Sequence, residues 1–248
     1  MDEAKKLKKS LGLLDVFSIA SGAMISSGLF VLPAIVYREG GPSIIASYML
    51  ASVLILPSVF AKAELATAMP RSGGTYFYAK RSLGGLWGLF CGLSDWFSLA
   101  LKSAFAIMGI ALFCRMFCRY AFEYQLADWA FKAIAVACCV FFGTMNCFSV
   151  KGTARFQNLL VVYLLVVLGA FIIVGISSVQ MTRFEPFVLS EAPHGKLTIL
   201  SLAGAVFISF GGLTKVNAIA EEVRHPGRWL PMGMLLAWGV VSFFYTTV

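Results

Sequence analysis

Apolar and polar residues occur along this chain in long blocks. Seven apolar blocks, each of roughly 20 residues or somewhat more, are separated by short segments that carry charges, glycine or proline. A helix needs about 20 apolar residues to cross the hydrocarbon core of a bilayer. We therefore predict seven membrane-spanning helices, at residues 13–36, 43–69, 86–113, 129–148, 157–179, 198–220 and 230–248.

The composition agrees with an all-α membrane protein. The chain of 248 residues is 59% hydrophobic and 13% charged, and its mean hydropathy is +0.84, whereas about a quarter of the residues of a soluble domain are charged. The net charge of +8 does not indicate nucleic-acid binding, because the basic residues are spread over the connecting segments. No catalytic or metal-ligand motif is present, so we predict no metal, no cofactor and no enzymatic activity.

Basic residues are more numerous in every second connecting segment. Cytoplasmic loops carry an excess of Lys and Arg, which places the N-terminal segment 1–12 in the cytoplasm and residue 248 near the outer face of a plasma or inner membrane. Asp15 interrupts the first apolar block, which continues to Pro33, so we interpret it as a retained span and not as a secretory signal. The seventh block is still apolar at Val248, so we expect the protein to continue beyond it.

Two of the predicted spans contain glycine and polar residues where a simple span would carry Leu, Ile or Val. Residues 22–30 read GAMISSGLF, and residues 209–217 read SFGGLTKVN. Transporters built from inverted repeats have discontinuous helices at corresponding places, and the freed peptide groups line a substrate cavity. The alternative is that the small residues only allow helices to pack closely.

The positions of the two segments define a repeat. Five spans separate one from the other, so a second unit would be inverted relative to the first. We predict a first five-helix repeat at residues 13–180 and the start of a second repeat at residues 198–248. The predicted fold is therefore an inverted-repeat, broken-helix transporter fold of which the first seven transmembrane helices are present.

Three stretches resemble an amino acid permease of the amino acid–polyamine–organocation superfamily. Residues 22–33 (GAMISSGLFVLP) are similar to the family pattern G-x-x-x-G-S-G-[IVL]-F-x-x-P, with Ser26 in place of the middle glycine. Residues 63–76 (AELATAMPRSGGTY) resemble its [AS]-E-L-x-x-x-x-P-x-x-G-G-x-Y stretch. Residues 210–231 resemble its sixth helix and the following E-E-x-x-x-P-x-R-x-x-P loop.

The resemblance implies alternating-access transport of an amino acid, with the substrate bound between helices one and six. Backbone N–H groups of helix one would meet the carboxylate, its carbonyl would meet the α-amine, and helix six would complete the amine site. Ile208 stands where the family often has an aromatic gate. The residues implied are Ser26, Ser27 and Gly28 for the carboxylate, the Met24 carbonyl for the amine, and Phe210, Gly211 and Gly212 on helix six.

Charged residues within the spans bear on substrate and coupling. No acid lies near the two glycine-rich segments, so we expect a small neutral amino acid rather than a basic one or a polyamine. Lys102 and Lys215 lie at membrane depth, where a lysine is costly and faces a cavity or a partner. We take them as candidates for proton coupling, although each could instead bond to backbone carbonyls or to nearby acids. Sodium coupling stays open.

A second interpretation belongs to another class of protein. The chain could be a membrane interaction protein that does not transport, a degenerate or truncated relative that acts only with a partner. It predicts that no amino acid binds saturably. Both interpretations place the chain in a lipid bilayer and exclude a nucleic-acid partner.

Overall fold

The computed structural model describes residues 9–30, 32–124, 127–148, 150–180, 184, 185, 187 and 197–248. Within these ranges the chain is helical apart from its connections and one isolated bridge. The helices are α1 Leu13–Phe30, α2 Leu32–Gly40, α3 Ile44–Ala68, α4 Gly74–Leu83, α5 Gly85–Phe122, α6 Asp128–Phe148, α7 Val150–Ile176, α8 Thr198–Phe207 and α9 Pro226–Thr247, with 3₁₀ helices at Gly41–Ser43 and Ile208–Glu222.

The prediction of an all-α membrane protein is confirmed. Each predicted span coincides with a helix or with two helices in succession, since α1 and α2 together cover the first span and α8 with the following 3₁₀ helix covers the sixth. Among the described residues, six helical stretches are long and apolar enough to cross a membrane, and Leu13–Ile25 forms a shorter apolar one. The protein is a multi-pass membrane protein.

Helix α1 lies at the centre of the packing. It contacts the 3₁₀ helix Ile208–Glu222, α9 and α7, while α3 packs against α9 and α8. These elements contribute most of the buried apolar side chains. In contrast, α5 and α6 expose many of their large apolar side chains, as helices that face lipid do. The structure thus has a buried bundle with more loosely attached helices beside it.

The expected interruption of span one at residues 22–30 is not found there. Helix α1 continues through this stretch to Phe30. Its glycines are points of close packing: a Cβ at Gly22 would lie 3.2 Å from both the Gln157 Nε2 atom and the Val161 Cγ2 atom of α7. For this span the alternative of small residues that let helices approach describes the structure.

Span six does change its backbone at the predicted place. The α-helix ends at Phe207, and residues Ile208–Glu222 continue as a 3₁₀ helix of 15 residues. Runs of 3₁₀ helix longer than three or four residues are uncommon, and within a longer helix they often mark a hinge or strain. The glycine-rich segment 209–217 lies inside this run.

Two groups of hydrogen bonds hold the start of α1 in place. The backbone N–H groups of Ser10 and Leu11 both donate to the Glu222 carbonyl at 2.9 and 3.0 Å, and the Arg224 N–H donates to the Leu11 carbonyl at 3.1 Å. Asp15 accepts from the Gly12 N–H at 2.8 Å and from the Asn158 amide of α7 at 2.6 Å. The start of α1 is therefore tied to the end of the 3₁₀ helix and to α7.

Close packing of α9 on α1 gives a testable prediction. A Cβ at Gly233 would lie 2.5 Å from the Val16 Cγ1 atom, so Gly233→Ala overpacks the contact and should destabilise the protein by about 1–3 kcal/mol. Gly239, in the same helix, has open space around it, and Gly239→Ala should leave stability unchanged or raise it slightly. Thermal unfolding in detergent measures both; equal midpoints for the two variants would contradict the packing.

Candidate functional site

Helix α1 and the 3₁₀ helix approach each other to backbone contact at Gly212. A Cβ at this position would lie 2.5 Å from the Met24 nitrogen and 2.6 Å from the Ala23 carbonyl oxygen. No side chain fits there, because the neighbouring atoms belong to a backbone that cannot move aside independently. Gly212 therefore allows the two helices to cross closely.

A second close contact lies one turn further along α1, at Gly28. A Cβ there would lie 2.6 Å from the Ser209 Cβ atom and would overlap the hydroxyl of Tyr245. Ser209 is buried, and its hydroxyl has no hydrogen-bond partner among the described residues. A buried polar group without a partner is costly, and such groups in native structures need an explanation. The unpartnered Ser209 hydroxyl makes this crossing a candidate binding site.

Two tyrosines hold carbonyl groups of α1 beside the crossing. The Tyr245 hydroxyl donates to the Met24 carbonyl at 2.6 Å, and the Tyr48 hydroxyl donates to the Gly28 carbonyl at 2.8 Å. Their rings lie 5.2 Å apart, and the ring of Phe210 lies 5.3 Å from that of Tyr245. A buried tyrosine in an apolar span needs a hydrogen-bond partner for its hydroxyl. The presence of Tyr48 and Tyr245 within apolar spans is therefore a sequence signal that could have added them to the predicted site.

The structure brings together most of the predicted site residues. Four of them lie at the crossing and are buried: Met24, Gly28, Phe210 and Gly212. Gly211, next to them, is partly exposed. Ile208, the expected gate position, exposes 64% of its surface. The side chains of Ser26, Ser27 and Lys215 lie outside what the structure describes.

Lys102 reaches the crossing from α5. Its ammonium nitrogen lies 3.5 Å from the place that a Cβ on Gly211 would occupy. Asp95, seven residues earlier on α5, interacts electrostatically with Lys62 of α3. The structure thus places one of the two lysine candidates beside the glycine pair of the 3₁₀ helix.

A cavity of about 640 Å³ opens on one side of the crossing. Tyr48 and Tyr245, which bond to the carbonyls of α1, form part of its wall. The rest of the wall comes from the end of α1, from α2, from the start of α3, from the segment after α7 and from the end of α9. At the other end of the bundle, the Ser72 N–H and hydroxyl both donate to the Glu221 carboxylate, at 3.1 and 2.8 Å. The crossing therefore has a cavity on one side, and on the other side the end of the 3₁₀ helix is hydrogen-bonded to the α3–α4 connection.

These features define a class of protein, a multi-pass membrane protein with a candidate small-molecule site inside its helix bundle. They are the apolar helices, the crossing of α1 with an irregular sixth span, and the unpartnered Ser209 hydroxyl beside that crossing. A family model described as "Amino acid permease" matches residues 11–248. The chain belongs to this amino acid permease family.

Several relatives have descriptive names. The methylthioribose transporter of Bacillus subtilis (strain 168) is 26% identical, in a match that covers 99% of this chain and 55% of that protein. The branched-chain amino acid permease BcaP of the same organism is 27% identical, with 98% and 54% covered. Cationic amino acid transporter 1 of Arabidopsis thaliana is 25% identical, with 97% and 41% covered. The chain spans about half the length of the curated relatives it matches.

The tyrosine contacts give a second prediction. Tyr245→Phe keeps the ring and removes the hydrogen bond to the Met24 carbonyl, so stability should fall by about 0.5–1.5 kcal/mol. Tyr163→Phe is the control, because Tyr163 exposes 67% of its surface. Thermal unfolding of the purified variants in detergent measures the difference, and a Tyr245→Phe variant as stable as the control would refute the role of this bond.

Proposed function

We propose that the protein is a secondary active transporter that moves a small neutral amino acid by alternating access, with its substrate site where α1 crosses the 3₁₀ helix. The observation that carries the proposal is the buried, unpartnered Ser209 hydroxyl between the glycines of the crossing. A hydroxyl both donates and accepts hydrogen bonds, so it can bind either the carboxylate or the ammonium group of an amino acid. Membership of the permease family supports the same function.

The backbone of α1 supplies the second polar group. The Met24 carbonyl already accepts from Tyr245, but a carbonyl oxygen has two lone pairs and can also accept from a substrate amine. The family resemblance assigns the substrate carboxylate to the N–H groups of Ser26, Ser27 and Gly28. Since the N–H groups inside an α-helix already donate to carbonyls four residues earlier, carboxylate binding there requires that α1 open locally when the substrate enters.

The glycines of the 3₁₀ helix divide the proposed site. Residues three apart share a face of a 3₁₀ helix, so Ser209 and Gly212 both face α1, as their contacts show. Gly211 is on a different face, near α5. We assign the amine and the carboxylate to the α1 face and the substrate side chain to the Gly211 face. Phe210 packs against the ring of Tyr245 and so helps to hold that tyrosine beside the crossing.

A neutral side chain fits the charges near the crossing. Glu221, at the end of the 3₁₀ helix, binds Ser72, and Asp95 of α5 interacts electrostatically with Lys62. Each of these two carboxylates therefore already has a partner within the protein. The names of the relatives include a branched-chain permease, a cationic amino acid transporter and a methylthioribose transporter, so family membership alone does not fix the substrate.

Orientation, coupling and repeats complete the proposal. The distribution of Lys and Arg supports a cytoplasmic N-terminus in a plasma or inner membrane. The contacts of Ser72 with Glu221 would then close the cytoplasmic side, and the 640 Å³ cavity would face outward. Lys102 and Lys215 remain the candidates for proton coupling. Residues 13–180 would form the first repeat, and residues 198–248 would begin the second.

A bulky residue at the crossing should abolish transport. Gly28→Val would overlap Ser209 and Tyr245, whereas Gly175→Val, at a glycine with open space around it, should transport like the wild type. The measurement is uptake of radiolabelled neutral, acidic and basic amino acids into liposomes that contain the protein of the complete gene, with and without a proton or sodium gradient. If the wild type neither binds nor takes up any of them, the protein is a non-transporting interaction protein.

Ser209→Ala separates a binding role from a structural one. Loss of one substrate hydrogen bond should weaken binding about three- to tenfold, while the removal of an unpartnered buried hydroxyl should leave thermal stability unchanged or raise it. Ser177→Ala is the control, since Ser177 is exposed and its hydroxyl donates to the Val174 carbonyl near the end of α7. Affinity measured by equilibrium binding that stays at the wild-type value would remove Ser209 from the site.

A further inference from the structure

Lys102 brings a positive charge to the Gly211 face of the 3₁₀ helix, the face to which the substrate side chain is assigned. Its ammonium nitrogen lies 3.5 Å from the Cβ position of Gly211, so it would contact almost any side chain at residue 211. Gly211 and Ile208 are three residues apart and share this face. Ile208 is largely exposed, so the face is not covered by packing among the described residues.

No described carboxylate neutralises this charge. In the part of the chain that the structure describes, the ion pair found is that of Arg115 with Asp128, at 3.3 Å between α5 and α6. Asp95, the acid nearest to Lys102 along α5, acts on Lys62 instead. The half-buried ammonium of Lys102 therefore presents its charge toward whatever lies beside Gly211.

We propose that Lys102 determines the charge of the substrate that the protein accepts, by excluding amino acids with a cationic side chain. The inference rests on the proposed transport function and on the assignment of the substrate side chain to the Gly211 face. Every amino acid carries the same α-amine and α-carboxylate, so repulsion by Lys102 discriminates only between side chains. A neutral side chain meets the lysine stem and the glycine backbone, whereas a guanidinium or an ammonium group meets a like charge.

The size of the effect follows from electrostatics at a partly buried site. Two like charges several ångströms apart repel each other much more strongly there than in bulk water, because the effective dielectric constant is lower. A discrimination of about tenfold or more against a cationic side chain is expected from one such pair. The charge at residue 102, and not the shape of the site, would then set the preference for a neutral side chain.

Arginine and citrulline provide the test, because they have side chains of nearly equal size and differ in charge. Inhibition of radiolabelled leucine uptake by each is measured in liposomes that contain the protein of the complete gene. The wild type should favour citrulline over arginine by about tenfold or more, Lys102→Met should reduce this ratio to near one, and Lys102→Arg should preserve it. Lys132→Met removes a cation from α6, away from the crossing, and should leave the ratio unchanged.

The outcomes separate the inference from the function on which it rests. If the wild type takes up leucine but binds arginine as well as citrulline, transport stands and the role of Lys102 is refuted. The same holds if Lys102→Met takes up leucine with the wild-type ratio. If Lys102→Met fails to fold, Lys102→Gln and Lys102→Arg give the same comparison between a neutral and a charged residue. Absence of leucine binding by the folded wild type overturns both proposals.

Discussion

The close approach of two backbones at Gly212 is the constraint on which the candidate site depends. A Cβ on Gly212 would lie only 2.6 Å from the carbonyl oxygen of Ala23. The distance between the two helices is therefore set by peptide groups and not by flexible side chains. The crossing then places Ser209 against Gly28 and brings Tyr245 within reach of the Met24 carbonyl. A wider separation would disconnect all of these contacts at once.

The sequence predicted the helices well because the bilayer imposes a simple rule on their length and composition. All seven apolar blocks became helices, and the departure from α-helix in span six falls at its glycine pair. The same reasoning failed for residues 22–30, where glycines indicate either a broken helix or a close contact. Only the position of the neighbouring helix decides between these two possibilities, and that position depends on residues nearly 200 positions away.

Several residues predicted for the site lie together at the crossing, while the hydroxyl groups beside them were not predicted. Met24, Gly28, Phe210 and Gly212 came from motif resemblance, and they do meet at the crossing. Tyr48 and Tyr245 lie in spans two and seven, outside both glycine-rich segments, so no local pattern connected them to the carbonyls of α1. The unpartnered state of Ser209 is likewise a property of its surroundings and becomes visible only after the chain is packed.

The 3₁₀ helix Ile208–Glu222 is also longer than an α-helix of the same residues would be. A 3₁₀ helix rises about 2.0 Å per residue and an α-helix about 1.5 Å, so these 15 residues would shorten by roughly 7 Å on rewinding to α. The far end of this segment is bound to the start of α1 through Glu222 and to the α3–α4 connection through Glu221. A change in winding near the glycines would therefore draw the start of α1 and the α3–α4 connection toward the glycine pair.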